Sequence, residues 1–191
     1  MGKSFDRIDE HLREWISRQA LFFVATAPLD ADAHVNVSPK GPIGSLRVLD
    51  DHTVAYLDVV GSGAETIAHL RENGRIVVMF CAFEGRPRIV RLHGRGYAVR
   101  PGDPRFDELL PRFSEHPGVR SIVMVDVTRV ADSCGFSVPR LDYVADRDVL
   151  DLSAAKKGEP AMAAYRSKHN VRSLDGLPGL SDSPTAASSA G

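Results

Sequence analysis

The sequence has few of the residues from which metal centres and disulfide frameworks are built. Its 191 residues include only two cysteines, Cys81 and Cys134, which excludes a disulfide framework and any multi-cysteine zinc site. The seven histidines form no HExxH or HxH motif, and Ser62 lacks the flanking spacing of a Gly-x-Ser-x-Gly nucleophile elbow. We therefore expect neither a metal site nor an enzyme that relies on its own side chains alone.

The chain also has almost no net charge and no long apolar segment. Lysine and arginine number 24 against 25 aspartate and glutamate, which leaves no basic field to attract a nucleic acid or an anionic membrane. No apolar run approaches the ~18 residues of a membrane span. The charged N-terminus lacks the apolar segment of a secretion signal. With 43% hydrophobic residues, the chain is predicted to be a folded, soluble, cytoplasmic protein.

Short strand-like segments dominate the first two thirds of the chain. Because the connections between them are too short for repeated crossover helices, we predict a mostly β (α+β) fold, closed as a barrel or sandwich. It would have six or seven mainly antiparallel strands with short flanking helices. Gly94 and Gly96 indicate a bulge or a close approach of two backbones. The predicted strands span 20–27, 34–38, 45–49, 53–60, 75–83, 88–100 and 119–130.

Helices are predicted at 6–19, 64–73, 105–113 and 159–169. The first has apolar residues at helical spacing, and the second ends at Gly74, which suits a left-handed C-cap. After Asp146 the composition changes, and the last residues are small and polar. We therefore expect a barrel domain over 1–146, a helical extension packed on the barrel or dimer over 147–180, and a disordered tail over 181–191.

Two segments have the chemistry of an anion site. In the first, Pro39 fixes the exit of a strand, and Lys40 lies beside the Ser38 hydroxyl, a combination that suits phosphate. In the second, the turn 61–63 opens a helix, whose free backbone N–H groups favour an anion. Each segment taken singly is also compatible with a plain turn and a helix cap. Their occurrence on adjacent predicted strands favours a shared ligand.

The chain resembles the pyridoxamine 5'-phosphate oxidase-like flavoproteins, which have an FMN-binding split β-barrel. The resemblance covers residues 8–138. It rests on VNVSPKG (35–41), on TVAYLDVVGSGAETIAHLRENGRIVVMF (53–80) and on RIVRLHGRGYAV (88–99). It implies a homodimer that binds FMN in two equivalent clefts between the subunits, with a small molecule as substrate.

The resemblance also implies which residues contact the cofactor, although it assigns no catalytic residue. The partner subunit would contribute the segment near 133–136. Many family members place a basic residue in the first turn of the helix after the glycine turn, whereas this chain has Glu65 and Thr66 there, which leaves more of the phosphate charge to Lys40. The phosphate and ribityl chain would be held by Asn36, Val37, Ser38, Pro39, Lys40, Gly63, Glu65 and Thr66. The isoalloxazine or the ribityl oxygens would lie over Tyr56, Leu57 and Asp58. The far side of the cofactor would be closed by Arg88 and Arg91.

An FMN-dependent oxidoreductase acting on an unidentified small molecule is the leading hypothesis, because the cofactor would supply the redox chemistry. A deazaflavin-dependent reductase of the same fold is a second hypothesis. A third is a non-catalytic protein that binds flavin or haem, with His93 as the candidate axial ligand. Oxidation of pyridoxamine phosphate itself is not expected, because the C-terminal Arg and His that hold this substrate in the true oxidases are not found.

Overall fold

The computed structural model of the protein describes residues 2–180, which form eight strands and four α-helices. The strands are β1 (Lys3–Phe5), β2 (Phe22–Thr26), β3 (Asn36–Lys40), β4 (Leu46–Val48), β5 (Thr53–Val59), β6 (Arg75–Cys81), β7 (Ile89–Val99) and β8 (Val119–Ser133). The helices are α1 (Glu10–Ser17), α2 (Glu65–Asn73), α3 (Pro104–Leu109) and α4 (Val149–His169), and a 3-10 turn covers Leu110–Arg112.

The strands form one antiparallel sheet that curls until its two ends meet. Its order is β3-β2-β6-β7-β8-β5-β4, with β1 alongside β8. Three strands separate β2 from β5, yet the rings of Phe22 and Tyr56 lie 5.5 Å apart across the interior. Lys40 on β3 likewise reaches Asp58 on β5. Because side chains rather than a backbone ladder join these ends, the fold is a split β-barrel, and the predicted fold class is confirmed.

A bulge on β7 helps the sheet to curl. The register of β7 against β8 shifts between His93 and Gly94. A Cβ atom on Gly94 would lie only 2.2 Å from the carbonyl oxygen of Asp126, so the two backbones approach too closely for any side chain. The bulge and the close approach indicated by the strand glycines are therefore confirmed.

The apolar core occupies the inside of the curled sheet, and helices cover its open end and its outer surface. Leu12 and Ile16 of α1 pack into the barrel interior. On the outer side, α3 and the 3-10 turn cover the surface of β5 and β8. Helix α4 packs through Met162 on Val60, the residue after β5. The interior cluster includes Phe22, Val24, Val54, Tyr56, Ile76, Val78, Phe80, Val90, Leu92, Val123 and Val125.

Several boundaries differ from the sequence-based expectation. The described residues contain eight strands instead of six or seven, because β1 has only three residues, too few to show an alternating pattern. Helix α4 begins at Val149 instead of 159, and it is interrupted at Gly158, whose φ is +70°. The division into domains stays a prediction, and the tail predicted at 181–191 lies outside the described residues. Over 2–180, no helix is long and apolar enough to cross a membrane, and no His, Cys, Asp or Glu cluster could hold a metal ion.

Candidate functional site

Strand β3 turns its polar side chains inward. In an antiparallel pair, directly opposed residues point to the same face of the sheet. Asn36, Ser38 and Lys40 lie opposite residues of β2 whose side chains are buried in the barrel. Three of the five residues predicted on this strand therefore share one interior face.

The apolar residues of β3 point outward. Val37 and Pro39 occupy the opposite face from Lys40, and Val35 and Val37 are 70% and 63% exposed. We call this side of the sheet the outer face; it continues across half-buried Phe23 of β2 and Met79 of β6, which share a register row with Pro39. Val37 and Pro39 thus belong to a different surface from the other residues predicted on this strand.

A hydrogen-bond network links β3 to the first turns of α2. The side-chain Nδ2 of Asn36 donates to the hydroxyls of Thr66 (3.0 Å) and Thr26 (3.1 Å), and the Ser38 hydroxyl donates to the side-chain Oδ1 of Asn36 (2.9 Å). Thr26 is also bonded to Nδ1 of His69 (2.9 Å). Burial lowers the pKa of His69, which keeps the ring neutral near pH 7, although nearby carboxylates oppose this shift.

Sequence reasoning identified Asn36, Ser38 and Thr66 of this network but missed Thr26 and His69. The available signal was spacing, since His69 follows Thr66 by three residues and so lies on the same face of α2. The network holds β3 and the N-terminal end of α2 in one fixed arrangement, as the shared anion site would require.

A second group, the Asp58 cluster (Lys40, Asp58, Arg120 and Ser121), fastens β3, β5 and β8 together. Asp58 is fully buried and accepts from Lys40 Nζ (3.3 Å), Arg120 Nε (2.7 Å) and Ser121 Oγ (3.1 Å). Arg120 also donates to the carbonyl of Gly63 (2.9 Å), in the turn before α2. Arg120 was missed in the sequence because it lies 62 residues from Asp58 and belongs to no motif.

The Asp58 cluster has two cations for one carboxylate. Burial acts to raise the pKa of Asp58, but the charges of Arg120 and Lys40 outweigh it and hold this pKa below its usual value. Asp58 is therefore ionised at neutral pH, and the cluster keeps one unit of positive charge. The surplus charge lies on the side of Lys40, whose side chain is 15% exposed.

Tyr56 and Leu57 have their side chains in the core of the single chain. Lys40 lies over the Tyr56 ring at 6.0 Å, and the Tyr56 hydroxyl has no hydrogen-bond partner among the described residues. Burial raises the pKa of this hydroxyl well above its usual value. Leu57 points to the opposite side, into the cluster under α3. Contact of either residue with a flavin stays a prediction.

The N-terminus of α2 is covered by the segment 170–180, which we call the C-terminal strap. Ala64 provides no side-chain cap for this helix. One carboxylate oxygen of Glu65 accepts from the amide of Leu174 (3.2 Å), and its other oxygen lies above Gly63. Asn170 donates to the carbonyl of Gly61 (2.9 Å). Glu65 therefore turns toward the strap, and its carboxylate stands above the glycine turn where the resemblance predicts a phosphate.

Arg88 and Arg91 lie away from the Asp58 cluster, at the start of β7. Arg88 pairs with Asp132 and stacks on Trp15, with its guanidinium carbon 5.0 Å from the ring centre. It lines a cleft of about 1110 Å³ that we call the Trp15 cleft, together with Cys134 and the exposed Phe136. One chain thus brings Arg88 close to the predicted partner segment 133–136. Arg91 donates to Ser133 (3.2 Å).

Comparison with known proteins gives consistent matches. The family model described as "Pyridoxamine 5'-phosphate oxidase" matches residues 8–134. The chain is 41% identical over 192 residues to the pyridoxamine 5'-phosphate oxidase family protein ustO of Aspergillus flavus, a match that covers 92% of this chain and 77% of that protein.

Solved structures match the fold at lower identity. A variant of HupZ from Group A Streptococcus is 23% identical, with a TM-score of 0.51 over 66% of this chain and 99% of that one. An FAD-binding protein from Mycobacterium smegmatis is 14% identical, with a TM-score of 0.47 over 68% of this chain and 97% of that one. The first match supports the fold alone, and the second is too weak to carry an argument.

Proposed function

Because the chain belongs to the pyridoxamine 5'-phosphate oxidase family, we propose that it is an oxidoreductase that binds FMN between two copies of itself and acts on a small molecule. FMN, when bound, supplies the redox chemistry, and the protein binds and orients it. The observation that carries the proposal is the surplus positive charge of the Asp58 cluster, which Arg120 links to the glycine turn before α2 through the Gly63 carbonyl.

The residues of this region fit a phosphate group on the side of β3. Within residues 2–180, Lys40 donates one hydrogen bond, to Asp58, and an ammonium group has three N–H donors. Arg120 already neutralises Asp58, so Lys40 has charge available for a second anion. Ser38 lies on the same interior face as Lys40, and its hydroxyl would rotate from the Asn36 side chain to donate to the phosphate. Lys40, Ser38 and the amides of the first turn of α2 would hold the phosphate, and Glu65 would have to turn further outward.

The exposed valines in and just before β3 support the association of two copies. A half-buried strand normally hides its apolar side, yet Val35 and Val37 face solvent in the single chain. Covering this outer face with a second copy would bury them. A cleft between two copies is also where the family resemblance places the flavin.

The first test is an absorption spectrum of the purified protein, followed by titration with FMN, riboflavin and the deazaflavin cofactor. Lys40→Met should weaken FMN binding by about 1.5–3 kcal/mol, because a charge-assisted contact to the phosphate is lost. Affinity for riboflavin, which has no phosphate, should not change. Lys168→Met, on the exposed surface of α4, is the matched control and should bind both ligands as the wild type does.

The outcomes separate the candidate cofactors. Preferential binding of FMN, with NAD(P)H consumption by the loaded protein, supports the proposal. A colourless protein that binds neither FMN nor riboflavin would contradict it. Exclusive binding of the deazaflavin would replace FMN with that cofactor, and equal loss of FMN and riboflavin affinity in Lys40→Met would remove Lys40 from the phosphate end.

A further inference from the structure

A second cleft lies between the outer surface of the barrel and helix α4, and we call it the α4 cleft. Its volume is about 1150 Å³, slightly above the usual range of small-molecule pockets, about 300–1000 Å³. None of the residues that the family resemblance assigns to flavin lines it. The α4 cleft is therefore a separate feature of this chain, built in part by the extension after the barrel.

Apolar side chains form the floor and the roof of the α4 cleft. Phe106 and Phe113 belong to the apolar cluster that covers the outer surface of the barrel, and both line the cleft. Ala163 and Val171 line it from the side of α4 and the strap. The two phenyl rings are 7% and 8% exposed, and together with Leu110, Pro111 and Val119 they give an apolar surface that suits the flat or aliphatic body of a small organic molecule.

The walls of the α4 cleft are tied to the barrel. His116, in the loop before β8, pairs with Asp151 in the first turn of α4 at 2.8 Å. At the inner end, both arms of the Arg120 guanidinium are engaged, with Asp58 and with the Gly63 carbonyl. Because its N–H donors are engaged with these partners, Arg120 lines the cleft without being available to bind an acid. Arg166, which also lines the cleft, is the better candidate for that role.

Arg166 lines the α4 cleft and pairs with Glu159 of the same helix. The Glu159 side chain is 71% exposed, and an ion pair with so exposed a partner adds little stability. A ligand carboxylate that enters the cleft can therefore replace Glu159, since the guanidinium fork matches a carboxylate with two parallel hydrogen bonds. The hydroxyl of Ser167, on the neighbouring position of α4, also lines the cleft.

Residues 181–191 supply no large apolar side chain for this space. Leu180, the last described residue, lines the cleft. The residues after it read SDSPTAASSAG and include no large apolar side chain. A separate molecule with an apolar body matches the phenyl floor better than this tail does.

We propose that the α4 cleft binds a small organic acid, whose apolar body rests on Phe106 and Phe113 and whose carboxylate pairs with Arg166. The site does not depend on flavin, so its test can be read whether or not the protein carries a cofactor.

The test uses the full chain and two probes of the same shape, 3-phenylpropionate and its uncharged amide, titrated by NMR. The wild type should bind the acid about five to ten times more tightly than the amide, because only the acid pairs with the guanidinium. Arg166→Gln should abolish this preference and leave the amide unaffected. Glu159→Gln should have the opposite effect and tighten the acid further, because it removes the competing carboxylate.

A variant that fills the α4 cleft with a large side chain shows whether the probes bind there or in the Trp15 cleft. Ala163→Trp should block both probes, whereas Arg86→Gln, in the Trp15 cleft, should change neither. Thermal unfolding of each variant checks that it is folded. The proposal fails if neither probe binds at millimolar concentration, if the acid and the amide bind equally, or if Ala163→Trp is folded and binds both probes like the wild type.

Discussion

Asp58 shows how one buried charge can stabilise the place where the barrel is split. It has no exposed surface, and its partners come from two strands: β8, which pairs with β5 through the backbone at this point, and β3, which does not. A buried carboxylate with well-directed partners is tolerated, whereas the partners left alone would be two buried cations without a counter-charge. Asp58 therefore joins the strands on the two sides of the split. It also holds in place the cations that would bind a ligand.

Asp58→Asn should lower the free energy of unfolding at pH 7 by about 3–5 kcal/mol, because it breaks a buried ion pair from one side. The pKa of Asp58 is lower in the folded protein than in the unfolded chain, so its contribution is present above about pH 4 and is lost as the pH falls through the folded pKa. The variant should therefore show a weaker loss of stability in acid than the wild type.

Urea unfolding followed by Trp15 fluorescence at several pH values between 7 and 2 measures both effects. Asp126→Asn, which changes an exposed carboxylate of β8, is the control and should stay close to the wild type. A variant at position 58 that is as stable as the wild type at pH 7 would rule out the stabilising role of the cluster.

At the scale of elements, two features of the secondary structure position the site. Helix α2 ends at Gly74, which is left-handed with a φ of +70°, and begins without a side-chain cap under the C-terminal strap. Strand β7 bends at the bulge before Gly94 and so allows β8 to pair with β7 on one side and β5 on the other. The bulge and the close backbone approach at Gly94 thus lie in the part of the sheet that separates β3 from β5.

Gly94→Ala should destabilise the protein by about 1–3 kcal/mol, because the new methyl group would overlap the carbonyl oxygen of Asp126 and force the strands apart. Gly61→Ala is the matched control, since a Cβ there meets nothing within 4 Å and the backbone has no positive φ. Chemical denaturation of the two variants makes the comparison. Equal stability of both would contradict the close approach at the bulge.

At the scale of the whole molecule, the outer face carries the argument for a dimer. Exposed Val35 and Val37 lie beside half-buried apolar residues of β2 and β6, so a single chain leaves an apolar sheet surface in contact with water. Association of two copies through this surface would join two barrels, and the family resemblance places FMN between two copies.

Val37→Glu should prevent the proposed association of two copies, and so weaken binding of a flavin held between them, because a charge would be buried in the apolar surface that the second copy covers. The variant should still fold, since Val37 is exposed in the single chain. Light scattering gives the mass, and circular dichroism gives the fold. Val144→Glu, at an exposed valine outside the sheet, is the control and should have the same mass as the wild type. A wild-type protein that is monomeric in solution would contradict the proposed interface.

The sequence by itself determined most of the local structure. The sequence pattern located the strands β4 and β5, the helix α2 with its Gly74 cap, and the bulge glycine of β7. These features depend on backbone preferences of a few neighbouring residues, which is why they can be read from a short stretch of sequence. The family resemblance was carried by the same stretches.

Only the tertiary structure decided which residues meet. The alternation at 34–38 indicates two faces but not which one lies inside, and here the polar side of β3 faces inward while its valines face out. The pairing of Arg120 with Asp58 joins residues 62 positions apart, and Leu174 reaches Glu65 across 109. Such contacts depend on how the sheet curls and where the extension returns, and neither is fixed by the preferences of neighbouring residues.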